Sequence, residues 1–259
     1  MPISIQVFVH WSTDVFCYIW NTNPEIVIGK IFLIPVTLGG DDFNSVIPDH
    51  VIKQTTSLRC FIVENIRSAR RYLRLIDKSF PIDQSVFFEL SEHTNDSEIG
   101  TFLEPLYNGN NIGLMSEAGL PGIADPGKNL LFEAHRRNIE IVPLSGPSSI
   151  ILALISSGLN GQNFAFKGYL PVKPSERNAK LREIENRSKS GEAQIFMETP
   201  YRAQKMLESI LTACNAATKL CIAADITLPN ELIKTKTISE WKKEDPNIND
   251  RLIIFILQT

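Results

Sequence analysis

The chain is short of cysteine, of methionine and of long apolar runs, and each shortage closes off a class of protein. Its four cysteines, Cys17, Cys60, Cys214 and Cys221, form neither a CxxC pair nor a cysteine and histidine set at ligand spacing. That argues against a disulfide scaffold and against a zinc site, and no metal is expected. Apolar neighbours suit buried free thiols in a reducing compartment. No apolar stretch reaches the roughly 18 residues that a membrane-spanning helix needs. Internal repeats and low-complexity runs are missing, which sets aside solenoids and long disordered tails. Positive charge is not in excess either, since 26 Lys and Arg against 29 Asp and Glu leave a net charge of −3. Such a chain is no general nucleic-acid binder, and any RNA contact must come from a local basic patch.

What is present suits a globular protein with a substantial core. A length of 259 residues, with 43% hydrophobic and 21% charged content, fits two modest domains or one large one. Met1–Gly29 carries apolar stretches at Ile3–Val9 and Val15–Trp20, interrupted by His10, Ser12, Thr13 and Asp14. This pattern is neither a membrane span nor a secretory signal. It reads as an appended surface segment or as a consequence of where the reading frame was opened. From Lys30 onward strands are expected at Ile31–Val36, Cys60–Val63, Ser85–Leu90, Ile112–Met115 and Glu140–Val142, with helical segments between them, the pattern of parallel βαβ units. Ser157–Asn163, rich in glycine and asparagine, reads as the hinge between domains at 30–158 and 159–259. Beyond it, strands at Phe164–Tyr169, Gln194–Glu198, Lys219–Ala224, Leu232–Thr237 and Arg251–Leu257, with helices near Ser175–Ser188 and Arg202–Ala213, predict a mixed sheet.

The most informative segment is Gly113–Gly127, GLMSEAGLPGIADPG, which holds four glycines, two prolines and two acids directly after a short apolar run. Asn111–Met115 predicts the end of a buried strand and Lys128–Asn138 an amphipathic helix, so the loop falls at the carboxyl edge of an α/β sheet, where open sheets bind ligands. Glycine allows close backbone approach, Pro121 and Pro126 restrict the path, and Glu117 and Asp125 supply acceptors for hydroxyls or an amino group. The start of the next helix, Gly146-Pro147-Ser148-Ser149, has proline suited to a first turn and Ser145 or Ser148 as a possible cap.

The loop resembles the SDAGTPGISDPG signature of the tetrapyrrole-methylase superfamily, and in particular its RsmI-type branch. Three further blocks resemble that branch in the same order: PLSGPSSIILALISS at Pro143–Ser157, NFAFKGYLPVKPSER at Asn163–Arg177 and FMETPYR at Phe196–Arg202. The resemblance runs from about Lys30 to the C-terminus. It implies a two-domain α/β fold with a ligand cleft between a parallel and a mixed sheet. It further implies S-adenosyl-L-methionine as methyl donor, a ribose of small-subunit ribosomal RNA as acceptor, a homodimer and a cytoplasmic location. Carried over by block, the donor contacts are Pro35, Ser116, Glu117, Ala118, Gly119, Ile123, Ala124, Asp125, Gly146, Ser148, Ser149 and Met197. Two blocks depart from the branch. The first-strand loop reads Pro35-Val36-Thr37-Leu38-Gly39-Gly40-Asp41-Asp42, and the EDTR block reads Glu64-Asn65-Ile66-Arg67, which loses an acid at Asn65.

Glu64, His93 and Glu198 are the candidate catalytic groups: Glu64 in the block that resembles EDTR, His93 in Ser91-Glu92-His93-Thr94, which resembles an HEHN element of the same branch, and Glu198 in the FMETPYR block. Arg67, Arg70, Arg71 and Arg74 share one helical face, either for phosphates or as a solvated surface paired with acids. Arg177 and Arg202 would add positive charge to the cleft, unless Arg202 simply pairs with Glu198. Two other readings stay open: a methyltransferase acting on a tetrapyrrole or other small molecule, and a donor-binding module without catalysis.

Overall fold

The computed structural model describes residues 28–259, so the expectation for Met1–Gly29 falls almost wholly outside the described residues. Five short strands build the first sheet: β1 (Ile31–Ile34), β2 (Cys60–Val63), β3 (Val86–Glu89), β4 (Ile112–Met115) and β5 (Ile141–Pro143). Their order is β3-β2-β4-β1-β5 and every neighbour pair is parallel. Helices α1 (Asp49–Ser57), α2 (Ile66–Ile76), α3 (Asp96–Phe102), α4 (Glu104–Tyr107) and α5 (Lys128–Arg136) connect them. One face packs on Phe61, Leu73 and Phe80, the other on Ile62, Leu103 and Leu130. Because β2 and β4 are buried at every position, they read as unbroken apolar runs rather than alternating ones.

The second sheet holds β6 (Phe164–Tyr169), β7 (Ala193–Glu198), β8 (Lys219–Ala224), β9 (Leu232–Thr237) and β10 (Ile253–Gln258), in the order β6-β7-β10-β8-β9. Only β6 and β7 pair in parallel; the other three pairs are antiparallel, which makes the sheet mixed as expected. Helices α7 (Pro174–Ser188) and α8 (Ala203–Ala213) cover one face, where Leu181, Met206, Phe196 and Phe255 meet, and α9 (Ile238–Trp241) closes its edge. The opposite face belongs to α6 (Ser149–Ser157), whose Ile150, Ala153 and Leu154 pack on Ile195, Cys221, Ala223 and Ile254. The chain therefore crosses from the first sheet to the second between β5 and α6.

Several boundaries shift for local reasons. β1 stops at Ile34 rather than Val36, because Pro35 has no N–H for the ladder and Val36 turns to pair with Gly119 in an isolated antiparallel bridge. α5 stops at Arg136 rather than Asn138, and Asn138 takes a left-handed φ of 55° that ends the helix. Cys60, Cys214 and Cys221 are buried free thiols, and burial pushes the Cys60 pKa up to about 11. Cys17 lies outside the described residues.

Candidate active site

A parallel sheet sends every strand out on the same edge, so the loops after β1, β2, β4 and β5 converge. A cleft of about 400 Å³ opens there, facing the ends of β7, β8 and β10 from the second sheet. Its floor is the loop after β4, where Ser116, Glu117, Ala118, Gly119, Ile123, Ala124 and Asp125 all line the space. The loop is tied down at both ends. Gly119 O accepts from Val36 N at 2.9 Å, and the Asp125 carboxylate accepts from Gly122 N at 2.7 Å and Gly127 N at 3.0 Å. Asp125, expected as a ligand acceptor, thus organises the loop from within. Ala124 sits at φ 61°, a conformation costly for a residue with a Cβ and held by its surroundings.

Glu64 leaves the end of β2 half-buried, with its Oε2 accepting from Glu117 N at 3.2 Å. Burial first, then the nearby charges of Glu117, Asp125 and Glu92, raises its pKa above the ordinary carboxylate value. Asn65 caps α2: its Oδ1 accepts from Arg67 N at 2.9 Å and Ser68 N at 3.1 Å. Asparagine and aspartate cap equally well, so the lost acid costs nothing in this role. Ser68 Oγ donates to Glu117 Oε1 at 2.9 Å and ties the helix to the cleft loop. Arg67, Arg70, Arg71 and Arg74 are all exposed, and among the described residues none of them forms an ion pair. Arg70 lies over the Phe87 ring at 5.2 Å, and Arg74 Nη1 donates to Lys78 O at 2.7 Å.

Between β5 and α6, Gly146 is pressed so closely on Pro35 that a Cβ there would overlap the proline ring. Neither residue lines the cleft; they set the approach of its walls. Ser148 and Ser149 do line it. Ser148 occupies the N-cap position of α6, but its hydroxyl makes no capping bond, contrary to the sequence expectation, and stays uncommitted at the start of the helix.

The opposite wall comes from the second sheet, with Met197 and Glu198 lining it. The Glu198 side chain has no solvent exposure. Its Oε1 accepts from Thr199 N at 2.8 Å, and its Oε2 lies 2.7 Å from Arg202 Nη2. The contact is an ion pair, and Oε2 has no hydrogen-bond partner among the described residues. Arg202 also donates to Leu170 O at 3.3 Å. Arg177 does not reach the cleft: it is buried, with Nε on Ser209 Oγ at 2.9 Å and Nη1 on Val172 O at 3.1 Å. Its helix position could not reveal that the guanidinium turns inward. His93 is exposed in the loop after β3 and is not among the lining residues. The remaining wall residues, Leu38, Ile150, Tyr169, Ala223, Ile226 and Ile254 among them, carried no signal beyond apolar or aromatic character.

The tetrapyrrole (corrin/porphyrin) methylase family matches residues 53–242. The chain belongs to that family. The methylase is 30% identical over 222 residues to the ribosomal RNA small subunit methyltransferase I of Vibrio cholerae, covering 84% of this chain and 73% of that protein. It is 34% identical to the protein of the same name from Haemophilus influenzae, over 66% of this chain and 61% of the relative. The crystal structure of the methyltransferase CobJ superimposes on the methylase with a TM-score of 0.57 at 17% identity, covering 89% of this chain and 94% of that one, which shows a shared fold.

Proposed function

We propose that this methylase transfers a methyl group from S-adenosyl-L-methionine to a ribose 2′-hydroxyl of small-subunit ribosomal RNA. The observation that carries the reading is the cleft itself, ringed by Glu64, Glu117, Asp125 and Glu198 at the carboxyl edge of a parallel sheet. Its chemistry fits the donor. The carboxylates of Glu64 and Glu117 suit a ligand with a sulfonium and an ammonium group, while Asp125 braces the loop and Glu198 is held by Arg202. Apolar Leu38, Ile123, Met197 and Ile226 suit a purine, and the uncapped start of α6 with Ser148 offers donors to a carboxylate. When bound, the donor supplies a methyl group already made electrophilic by its positive sulfur.

The chain's own work is alignment and proton transfer. The braced loop over residues 116–127 fixes one face of the reacting pair, and positioning of this kind can supply much of the rate. Glu64, more basic than an ordinary carboxylate, is the group we assign to taking the hydroxyl proton, with Glu198 held by Arg202 as the second acid of the pair. Arg67 and Arg71, which form no ion pair among the described residues, hold the RNA backbone. The functional units are 30–158 and 159–259, one for each sheet, with α6 of the first packed on the second sheet. A homodimer and a cytoplasmic location belong to the same proposal. No helix among the described residues is long and apolar enough to cross a membrane.

The test is incorporation of a labelled methyl group into small ribosomal subunits from cells lacking this gene. Label in a ribose of the RNA is the expected result. Label in a tetrapyrrole with unmodified RNA would replace this reading with the small-molecule one, and donor binding without turnover on any extract would leave a binding module.

A further inference from the structure

Resting on that reading, we propose that Tyr169 and Tyr201 form an aromatic platform at the cleft mouth that holds an unpaired base of the RNA substrate. Strand β6 loses register with β7 between Phe166 and Tyr169, and Gly168 within this irregularity adopts φ 65°. Nothing lies within 4 Å of a Cβ built at Gly168, so glycine is needed there for its backbone conformation and not for space. Bulges of this kind re-aim a side chain, and here Tyr169 lines the cleft while the residue stays 54% exposed. Tyr201 follows in the short turn Pro200–Arg202, three residues past Glu198, and is 74% exposed.

The two rings are neighbours of the chemistry. Tyr169 lies within electrostatic reach of Glu198, Glu64 and Tyr201, so it stands where both candidate acids face the acceptor. Among the described residues, neither phenol hydroxyl makes a hydrogen bond, and large aromatic surface left in water beside a cleft calls for a flat partner. Burial and the surrounding acids keep the Tyr169 phenol protonated, so it is not the base. Sequence-specific RNA recognition targets unstacked, single-stranded nucleotides, and a ribose held in the cleft leaves such a base beside its mouth. Aromatic side chains take up such bases with little sequence preference. On α2, tied to the cleft loop by Ser68 and Glu117, the exposed Arg67 and Arg71 offer charge for the flanking phosphates.

The experiment compares Y169A, Y201A, Y169F and Y201F with the wild type, measuring KM and kcat for small ribosomal subunits and calorimetric Kd for the donor. Stacking is worth enough per base that each alanine variant should raise KM for subunits about tenfold or more. The phenylalanine variants should stay within about twofold, donor Kd should not move in the Tyr201 variants, and an unchanged urea-unfolding midpoint certifies the fold of the Tyr169 variants, whose side chain lines the donor cleft. Alanine variants with wild-type KM overturn the platform while leaving the proposed function intact. Phenylalanine variants as impaired as alanine overturn it too, because the hydroxyl and not the ring would then matter. A wild type that labels no subunit RNA overturns both.

Discussion

Removing the Asp125 carboxylate tests whether the cleft floor is held from within. In the wild type the carboxylate accepts two backbone N–H bonds, from Gly122 at 2.7 Å and from Gly127 at 3.0 Å, across the stretch that contains the strained Ala124. Buried hydrogen bonds to a charged acceptor are worth about 1.5–3 kcal/mol each, and water competes at the exposed Gly122, so the pair contributes about 2 kcal/mol. D125A leaves the loop without this brace. If the donor binds only the braced conformation, its Kd should rise by the corresponding factor of about 30. D125N keeps one acceptor oxygen and removes the charge, and should cost about 1 kcal/mol, or about fivefold. Titration calorimetry with S-adenosyl-L-methionine reads both, and urea unfolding should show little global loss. Wild-type affinity in D125A would refute the reasoning outright. Equal losses in the two variants would show that the charge meets the ligand directly and that the loop argument is wrong.

Other expectations follow from the same geometry. For Glu64, whose folded pKa is raised, the ionised form strains the fold at neutral pH. E64Q should therefore match or exceed the wild-type Tm there, the gap closing as pH falls through the raised value. E64Q should also lose the acid limb of the kcat/KM profile; an unchanged limb would exclude Glu64 as the base. Replacing Arg67 and Arg71 by glutamine should weaken subunit binding and lower its salt slope by about two, one for each phosphate contact, with donor Kd unaffected. G146V forces a side chain into the Pro35 ring and should cost about 1–3 kcal/mol in urea unfolding; a neutral substitution would mean the contact is looser than described.

Legibility in the sequence depended on whether a residue's role was local. β2 and β4 stand out because strands buried on both faces, CFIV and IGLM, need no partner to be seen as apolar runs. The loop over residues 116–127 stands out because its backbone demands glycine and proline. Asn65 could be weighed as a loss only until its capping bonds were seen, since those depend on where α2 begins. Arg177 and Arg202 share a charge but not a fate, and only the packing of α7 against α8 turns Arg177 toward Ser209. Tyr169 was invisible for another reason. The strand expected at Phe164–Tyr169 has the right bounds, yet alternation cannot announce the irregularity at Gly168 that redirects the next ring.

The covalent link between the two sheets carries a last consequence. Among the described residues, backbone passes from one layer to the other once, through residues 144–148, where Pro147 has a fixed torsion and Gly146 is wedged against Pro35. Such a joint swivels poorly. Opening wide enough to exchange spent donor for fresh must then come from the floor yielding locally rather than from the halves swinging apart, which makes turnover sensitive to viscosity and temperature at that one segment.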